Sequence, residues 1–509
     1  VRRIDMREGI VYLIGAGPGD PGLFTIKGRA LLAEAEVVVY DRLVNSDILS
    51  GVRPEAELIY VGKASSHHAL RQEQINELLV EKVAAGKKVV RLKGGDPFLF
   101  GRGGEEAEYI RNHGFDYEVI PGVTSAIAVP AYAGIPVTHR DAASSLAIIT
   151  GHEKPGKQES SIKWPQLAQG IDTLVFLMGI ENLDLITNNL VANGKRPDTP
   201  VALVRWGTWP AQEVLTGTLA DIGRKVQDSH FKPPAVIIVG EVVNMRERLA
   251  WVENKPLWGK RVVVTRARAQ ASALADKLKE LGASAIEFPT IEVTPEEDLS
   301  PLHHAFRSID SFNWIIFTSV NAVDIFFTEM MADGLDIRCL TGINICAIGP
   351  ATCERLRNRG IKSDIVPSEY VAEGLIEELE KKIKPGQSVL LPRARGARAI
   401  LPEAINEMGA HVSEVNLYSA APAANVCAED LGQILAGKVD LITFTSSSTV
   451  TNFVNIIGAG NVEKLAEAKI ACIGPITADT AKNKGFKVDL IAPEYTIAGL
   501  IEVILEQYK

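Results

Sequence analysis

The most informative stretches of the N-terminal half of this chain are Arg91-Leu-Lys-Gly-Gly-Asp-Pro-Phe-Leu-Phe-Gly-Arg102 and Gly15-Ala-Gly-Pro-Gly-Asp-Pro21. Each stretch places glycines and an aspartate after a strand-like apolar run, Lys88 to Leu92 in one case and Ile10 to Ile14 in the other. Glycine lets a backbone approach a ligand closely and adopt positive φ. Because open α/β sheets bind ligands at the carboxyl ends of their strands, the two turns predict a small-molecule pocket lined by backbone.

The first turn differs from the dinucleotide-binding fingerprint. Gly15, Gly17 and Gly19 form G-x-G-x-G, and Asp20 stands where the third glycine of G-x-G-x-x-G belongs, so that its charge would oppose a pyrophosphate. Asp41 follows the next strand-like run and would suit the ribose-binding acid of a nicotinamide site. A dinucleotide site and a tight turn without a ligand therefore remain alternatives at this point.

Length and charge place the chain in a broad class. Its 509 residues exceed one ordinary domain and predict two to four. The net charge of −9, with 23% charged and 46% apolar residues, indicates a globular protein without a polybasic surface for nucleic acid or membrane. The first residues lack the apolar core of a signal peptide, and no apolar run is long enough to span a bilayer. These observations predict a cytoplasmic protein.

Cysteine and histidine spacing argues against a metal site. None of the five cysteines lies in a C-x-x-C pair, and Cys339, Cys346 and Cys353 are predicted on a loop, a strand and a helix, respectively. The adjacent pairs His67-His68 and His303-His304 are poorly arranged for joint ligation. We expect free thiols and no metal.

Six ordered motifs in the N-terminal half carry a family resemblance. They are Gly15-Ala-Gly-Pro-Gly-Asp-Pro21, Tyr40-Asp-Arg-Leu-Val44, Val89-Val-Arg-Leu-Lys-Gly-Gly-Asp-Pro97, Pro121-Gly-Val-Thr-Ser125, Ile135-Pro-Val-Thr-His-Arg140 and Thr173-Leu-Val-Phe-Leu-Met-Gly179. Together they closely resemble the uroporphyrinogen-III C-methyltransferases of the tetrapyrrole methylase family, over about residues 8 to 248. The resemblance implies a two-lobed methylase fold, and methylation of uroporphyrinogen III twice from S-adenosylmethionine to give precorrin-2. It also implies a homodimer formed through this half.

The resemblance assigns roles residue by residue. Asp41 becomes the base that removes a proton after methyl transfer, and Lys63 a proton donor or carboxylate anchor; a turn aspartate and a surface lysine remain the alternatives. The residues carried over for S-adenosylmethionine are Pro18, Gly94, Gly95, Asp96, Leu99, Thr124, Ser125, Met178 and Gly207, with core packing an alternative for Met178. Basic residues in or beside the motif loops are expected to bind substrate carboxylates. They are Arg42, Arg91, Lys93, Arg102, His139 and Arg140.

The C-terminal half contains an internal repeat with an offset of about 125 residues, which indicates a duplicated domain rather than a solenoid. Arg261-Val-Val-Val-Thr-Arg266 recurs as Ser388-Val-Leu-Leu-Pro-Arg393, and Trp314-Ile-Ile-Phe-Thr-Ser319 as Leu441-Ile-Thr-Phe-Thr-Ser446. Short apolar strands alternate with helical stretches such as Ala271 to Leu281. That alternation predicts α/β lobes, each with a parallel sheet between helices, and a cleft between them.

This ordered pattern resembles uroporphyrinogen-III synthase over about residues 257 to 509, through short motifs such as Ile348-Gly-Pro350 and Ile473-Gly-Pro-Ile-Thr477. The resemblance implies two flavodoxin-like lobes, one of residues 260–291 and 421–509 and the other of 293–417, and cyclisation of hydroxymethylbilane with inversion of its last ring, without a cofactor. Tyr418 matches the family's tyrosine and is expected to assist loss of the hydroxyl as an acid, with interlobe packing as the alternative. Residues predicted to bind substrate are Arg266, Thr318, Ser319, Arg393, Thr445, Ser446 and Thr477, with Arg395 and Arg398 nearby.

The two resemblances predict a bifunctional enzyme of tetrapyrrole synthesis, leading toward cobalamin or sirohaem. Residues 8–250 form the predicted methyltransferase, 251–259 a short linker whose tryptophans pack on a domain, and 260–509 the synthase. Two alternatives remain open: a C-terminal half that binds tetrapyrroles without catalysis, and a methylase that acts on a later precorrin.

Overall fold

The computed structural model describes residues 9–62, 70–152, 161–265, 268–368, 370, 372–423 and 426–509. They fold as two compact units, the first comprising the chain to Lys260 with Lys279–Ser284 and the second Arg261–Leu278 with Ala285–Lys509. In these ranges no helix has the length and apolar character required to cross a membrane.

The first sheet contains five parallel strands, and helices follow them along the chain. The strands are β1 (Ile10–Gly15), β2 (Val37–Tyr40), β3 (Glu57–Tyr60), β4 (Val89–Lys93) and β5 (Asp116–Ile120), in the spatial order β3-β2-β4-β1-β5. The helices are α1 (Ile26–Ala33), α2 (Ser46–Leu49), α3 (Gln72–Ala84), α4 (Gly103–Asn112) and α5 (Ser125–Tyr132). Every residue of β4 is buried, as expected of a strand covered on both faces. The carboxyl ends of β1, β2 and β4 carry the predicted motif loops.

The second sheet of this unit is mixed rather than parallel. Its strands are β6 (Leu146–Thr150), β7 (Thr173–Leu177), β8 (Pro200–Arg205), β9 (Glu213–Thr218) and β10 (Ala235–Val239), in the order β6-β7-β10-β8-β9. Only β6 and β7 pair in parallel; the other neighbours are antiparallel. The accompanying helices are α6 (Trp164–Gly170), α7 (Leu183–Ala192), α8 (Ile222–Ser229) and α9 (Arg246–Leu249).

The second unit contains two further five-stranded sheets. The strands of one are β11 (Arg261–Val264), β12 (Ser284–Glu287), β18 (Leu441–Phe444), β19 (Lys469–Cys472) and β20 (Leu490–Ile491). Those of the other are β13 (Ile291–Pro295), β14 (Trp314–Phe317), β15 (Asn344–Ala347), β16 (Ser388–Ala394) and β17 (His411–Pro422). The sheet orders are β12-β11-β18-β19-β20 and β13-β17-β16-β14-β15.

Helices accompany these strands throughout the second unit. They are α10 (Arg268–Glu280), α11 (Ser300–Arg307), α12 (Val320–Ala332), α13 (Pro350–Arg357), α14 (Ala372–Glu380), α15 (Ile400–Glu407), α16 (Ala428–Leu435), α17 (Ser447–Ile457), α18 (Pro475–Asn483) and α19 (Ile497–Gln507). The predicted α/β class with parallel-rich sheets is therefore confirmed in both units.

The internal repeat is visible in the strand order. Strands β11, β18 and β19 correspond in sequence to β16, β14 and β15, and each set runs in parallel as three neighbours. The second set gains the antiparallel edge strand β13, which pairs with the long β17. Duplication thus preserved three neighbouring strands in each sheet, whereas the strands that flank them differ.

Two local predictions can be compared with the structure. Trp251 packs on the first unit as expected: its indole Nε1 donates to the carbonyl of Ala131 at 3.0 Å, and its ring meets Tyr132 edge-on at 5.1 Å. Cys339 does not lie in a loop, because it belongs to a short 3-10 helix over Ile337–Leu340 that Asp336 caps. A single helical turn of this kind has too few residues to show a helical period in the sequence.

Candidate functional site

Three glycines converge where β1, β4 and β5 end. A Cβ on Gly15 would come within 2.5 Å of the Gly122 backbone and 2.6 Å of the Gly95 oxygen, and one on Gly122 within 2.2 Å of that oxygen. Gly17 and Gly95 also exchange backbone hydrogen bonds of 3.2 and 2.7 Å. Since real Cβ atoms do not approach so closely, only glycine allows these three segments to meet. The two sequence motifs therefore form one platform.

Asp96 fixes the second turn onto this platform. Its Oδ1 accepts from the backbone N–H groups of Phe98 at 2.8 Å and Leu99 at 3.1 Å. Its Oδ2 accepts from the N–H of Gly122 at 3.0 Å. Both oxygens hold backbone in place, so that the turn after β4 and the loop after β5 form one rigid edge.

The remaining predicted cofactor residues lie on loops of the same unit. Thr124 caps α5 by accepting from the Ala126 N–H, and a Cβ on Gly95 would lie 3.9 Å from the Ser125 nitrogen. A Cβ on Gly94 would meet the Leu43 side chain at 2.7 Å, and one on Gly207 would meet Val129 at 2.4 Å. Close packing at these positions explains glycine in the sequence. Pro18 and Leu99 are half-buried.

Non-glycine residues with positive φ cluster in the loops of this unit. At these loops they are Phe100 (54°), Arg102 (59°), Met178 (57°), Trp206 (46°) and Thr208 (73°), and a sixth residue, His230 (52°), ends α8. Such a conformation costs on the order of 1 kcal/mol or more per residue and is concentrated at functional sites. Met178 follows β7, yet its side chain is 53% exposed, so core packing does not describe it.

Asp41 lies just beyond β2, beside this edge. Its Oδ1 accepts from the Leu43 N–H at 3.1 Å, and its Oδ2 lies 3.5 Å from Nη2 of Arg91. The side chain remains 29% exposed, which leaves it accessible to a reactant. The second predicted catalytic residue of this half, Lys63, lies outside the described residues.

The predicted substrate-binding residues of this half fall into two groups. Arg42, Arg102, His139 and Arg140 are exposed at the loops. Arg102 makes a bidentate pair with Glu105 at 2.9 and 2.7 Å, and that hydrogen bond raises the pKa of the guanidinium. Arg91 and Lys93 are instead only 3% and 4% exposed. They lie beneath the loops, in contact with the buried Glu106 at 3.2 and 2.8 Å.

Glu106 and Tyr132 are residues that the sequence did not single out. Glu106 is fully buried on α4. Its place in the sequence, three residues after Gly103, gains meaning only once Arg91 and Lys93 are known to be buried against the same helix. Tyr132 donates from its hydroxyl to Oδ2 of Asp20 at 2.6 Å, while Oδ1 of Asp20 accepts from the Gly22 N–H. Burial, helped by Asp20, raises the pKa of Tyr132. Asp20 therefore holds its own loop in place.

In the second unit, Tyr418 and Ser319 form a pair. Tyr418 is 6% exposed, and its hydroxyl lies 2.8 Å from Oγ of Ser319. Ser319 also caps α12 by accepting from the Ala322 N–H at 3.0 Å. Thr318 is half-buried directly before this cap. Strand β17 thereby brings Tyr418 to the carboxyl end of β14, although the two residues are far apart in the sequence.

The other lobe of the second unit repeats the cap. Ser446 caps α17, and its Oγ accepts from the Thr449 N–H at 3.3 Å while its own N–H donates to Oγ1 of Thr449 at 3.2 Å. Thr445 is half-buried beside it, and Thr477 is 5% exposed in the first turn of α18. Thr318, Ser319, Thr445 and Ser446 thus lie at equivalent helix starts, after β14 and β18, and Thr477 lies at the helix start after β19.

The arginines of the second unit are not equally available. Arg393 is 5% exposed, donating from Nη1 to Glu414 at 3.1 Å and from Nη2 to the Arg398 carbonyl at 2.7 Å. Arg395 pairs with Glu296, and Arg398 lies 3.7 Å from Glu373. Arg266 lies outside the described residues. Of the predicted arginines that the structure describes, Arg393 is held beneath the surface, whereas Arg395 and Arg398 are exposed.

Comparison with known families places one model on each half of the chain. The model of tetrapyrrole (corrin/porphyrin) methylases matches residues 10–223. The model of uroporphyrinogen-III synthase HemD matches residues 272–502.

Individual proteins extend this similarity. The porphyrin biosynthesis protein HemD of Ruminiclostridium josui is 40% identical over 505 residues, which are 98% of this chain and 98% of that protein. A uroporphyrinogen-III C-methyltransferase of Priestia megaterium is 52% identical over 236 residues, covering 46% of this chain and 99% of that protein. The crystal structure of uroporphyrin-III C-methyltransferase from Thermus thermophilus with S-adenosylhomocysteine is 41% identical, with a TM-score of 0.41, and covers 46% of this chain and 99% of that one.

A relative that spans nearly the whole chain and a family model on each half lead to one conclusion. The chain belongs to the family of fused enzymes of tetrapyrrole biosynthesis, in which a uroporphyrinogen-III C-methyltransferase domain precedes a HemD-type uroporphyrinogen-III synthase domain.

Proposed function

We propose that this enzyme catalyses two consecutive steps, cyclising hydroxymethylbilane to uroporphyrinogen III and methylating that product twice from S-adenosylmethionine to give precorrin-2. The observation that carries the methylase step is the glycine platform of Gly15, Gly95 and Gly122 with Asp41 beside it. This arrangement places open backbone and a partly exposed carboxylate at one edge of a parallel sheet, which is where α/β proteins bind small molecules.

The residues of the platform suit S-adenosylmethionine. A Cβ at Gly15 or Gly122 would fill the space in which the segments meet, and Gly95 holds a positive φ of 68°. The residues that we propose hold the methyl donor are Pro18, Gly94, Gly95, Asp96, Leu99, Thr124, Ser125, Met178 and Gly207. When bound, the donor supplies an electrophilic methyl group, so the protein's task is to hold the two reactants in line.

Asp41 is the group that we assign to proton removal. After a pyrrole carbon gains a methyl group, a proton must leave the ring system, and a carboxylate within reach can accept it. Lys63 is the proposed proton donor or carboxylate anchor. The exposed side chains of Arg42, Arg102 and Arg140 are suited to the carboxylates of the substrate, because guanidinium groups bind carboxylates in a bidentate manner. His139 offers a ring N–H donor beside them. Arg91 and Lys93 would act from beneath these loops.

The synthase step is assigned to the second unit without a cofactor. Thr318 and Ser319 on one lobe, and Thr445, Ser446 and Thr477 on the other, offer hydroxyls and helix N-termini for substrate carboxylates. Arg266 and Arg393 are the proposed basic residues. Tyr418, hydrogen-bonded to Ser319, would assist loss of the hydroxyl. Since an ordinary tyrosine is a weak acid, we expect a contribution from Tyr418 rather than complete dependence on it.

Three further properties are part of this proposal. The methyltransferase would occupy residues 8–250 and the synthase 260–509, joined by 251–259, with synthase lobes of 260–291 plus 421–509 and of 293–417. The methylase half would form a homodimer. The enzyme would work in the cytoplasm, on small-molecule tetrapyrroles and without nucleic acid or membrane partners.

The methylase assignment is tested by anaerobic incubation of the whole protein with uroporphyrinogen III and S-adenosylmethionine, followed by mass spectrometry. We expect a product that has gained two methyl groups and lost two protons, a net gain in mass of two CH2 units, and no such product when S-adenosylmethionine is omitted. If uroporphyrinogen III is left unchanged while a later precorrin gains a methyl group, the proposed substrate is wrong and the later precorrin is the substrate.

A further inference from the structure

A buried cluster of charges lies directly beneath the methylase site. Arg91 and Lys93 project from the same face of β4, because alternate residues of a strand share a face, and Glu106 reaches them from α4. Arg91 is 3%, Lys93 4% and Glu106 0% exposed. All three residues lie within the first unit and are buried, so they differ from the solvated charged side chains of a protein surface.

The three side-chain hydrogen bonds that Glu106 accepts in the described structure all go to one of its oxygens. Its Oε1 accepts from Nε of Arg91 at 3.2 Å, from Nζ of Lys93 at 2.8 Å and from Nε2 of Gln72 at 3.1 Å. Its Oε2 has no hydrogen-bond partner in the described part of the chain. Burial lowers the pKa of Lys93, as does the neighbouring charge of Arg91, and Glu106 opposes both effects.

Stability alone is a poor reason for such a cluster. Removing charges from water costs several kcal/mol per ion, and apolar replacements of similar volume are often neutral or stabilising. A buried carboxylate with one oxygen left unpaired makes the cost larger. Buried ionic clusters of this kind are concentrated at functional sites.

The cluster extends to Asp41 through Arg91. The guanidinium uses Nε for Glu106 and Nη1 for the carbonyls of Val39, at 3.3 Å, and Leu92, at 3.1 Å. Its Nη2 is then directed toward Oδ2 of Asp41, 3.5 Å away. That separation exceeds a good hydrogen bond, so Arg91 orients the Asp41 carboxylate without occupying it.

We propose that Glu106 is a positioning residue for methyl transfer, which holds Arg91 back from Asp41 so that the carboxylate remains free to accept the proton. This inference rests on the function proposed above for Asp41. Without the charge of Glu106, Asp41 would be the carboxylate that remains within 4 Å of Arg91 among the described residues, and its charge also acts on Lys93. Arg91 would then close on Asp41 and compete with the substrate proton for its lone pairs.

The test uses E106Q in the whole protein, with E108Q as the matched control. Glu108 lies on the same helix, loses the same charge, and is exposed. We expect E106Q to lower kcat for methylation of uroporphyrinogen III at least about tenfold. KM for uroporphyrinogen III and the affinity for S-adenosylhomocysteine, measured by calorimetry, should stay within about twofold of the wild type. E108Q should match the wild type in all three.

A double-mutant cycle with D41N distinguishes positioning from general support of the fold. If Glu106 acts through Asp41, adding E106Q to D41N lowers kcat by less than about twofold further, because the group being positioned is already absent. A full tenfold loss in the D41N background, or an unchanged kcat in E106Q alone, overturns the proposal. So does a parallel loss of S-adenosylhomocysteine affinity.

E106D keeps the inference testable if E106Q does not fold. This variant retains the charge on a shorter side chain and is expected to fall between E106Q and the wild type in kcat, again with little effect in the D41N background. If folded E106D has the kcat of the wild type, the distance between the carboxylate of residue 106 and Arg91 does not matter, which contradicts the proposal. Absence of methyl transfer by the wild type would instead contradict the proposed function itself.

Discussion

The two units build the ends of their strands in different ways. In the methylase unit, six non-glycine residues hold positive φ, five of them at loops from Phe100 to Thr208 and the sixth, His230, at the end of α8. The backbones of three glycines also meet there, and a Cβ on Gly15 or Gly122 would clash. In the described part of the synthase unit, no non-glycine residue has positive φ. Its corresponding loops begin helices with ordinary serine caps at Ser319 and Ser446. The loops of the methylase unit therefore contain more backbone strain than the corresponding loops of the synthase unit.

This difference corresponds to the chemistry assigned to each unit. Methyl transfer requires a donor and a carbon held in line, and a rigid, strained pocket fixes that geometry before reaction. Ring closure of a linear tetrapyrrole requires that a flexible chain be folded in one way, for which repeated helix starts on two lobes suffice. Substitutions that damage one kind of site should leave the other intact.

The largest expected effect is that of D41N on methyl transfer. Removing the proposed base should lower kcat by about a hundredfold or more, since general base catalysis contributes factors of that size. Formation of the type III isomer from hydroxymethylbilane should be unchanged. Initial rates of both reactions in one preparation measure this. D198N, on an exposed carboxylate of the same unit, is the control, and a D41N enzyme with normal methylation would remove Asp41 from the mechanism.

A smaller effect is expected from placing one methyl group in the glycine platform. G122A puts a Cβ about 2.2 Å from the Gly95 oxygen, so the segments must move apart. We expect a loss of about 1–3 kcal/mol in the free energy of unfolding of the first unit, with S-adenosylhomocysteine affinity reduced at least about tenfold. Denaturant unfolding and calorimetry measure these changes.

Gly104 supplies the matched control for that experiment. A Cβ there would meet nothing within 4 Å, and the residue lies in α4, where alanine is favoured over glycine. G104A should therefore bind S-adenosylhomocysteine normally and unfold no more easily than the wild type. Equal losses in both variants would show that the platform has no special role.

The smallest effect is expected in the synthase unit from Y418F. Loss of the hydroxyl removes the hydrogen bond to Ser319 and should cost about 1 kcal/mol of stability. The rate of type III formation should fall by less than about tenfold, because the hydroxyl assists rather than carries the reaction. Methylation by the same preparation is the internal control. A complete loss of type III isomer in a folded variant would make Tyr418 indispensable, contrary to this account.

The sequence predicted much of the fold because its signals are local. The buried run Val37 to Tyr40 is recovered as a strand with the same bounds, and the internal repeat predicted a duplicated α/β unit, of which three strands in each sheet correspond. The mixed second sheet could not be predicted, since strand direction depends on how distant segments pair. The antiparallel strand β13 (Ile291–Pro295) is a further example.

Predictions for the candidate site divide in the same way. The glycines were recognisable because close backbone approach at Gly15 and positive φ at Gly95 both favour glycine. Burial of charged side chains could not be recognised from the sequence, because nothing in the sequence distinguishes Arg91, Lys93 and Arg393 from surface residues. Glu106 was not predicted as a site residue, because its role depends on contacts with two residues of β4, the strand that packs against its helix.

The central claim is that one chain carries both activities, and incubation with freshly made hydroxymethylbilane tests it most directly. The protein would be assayed with and without S-adenosylmethionine, and the products analysed for isomer and mass. We predict type III macrocycle without the methyl donor and a dimethylated product with it. Type I isomer alone would contradict the account and would identify the C-terminal half as a module that binds tetrapyrroles without catalysis.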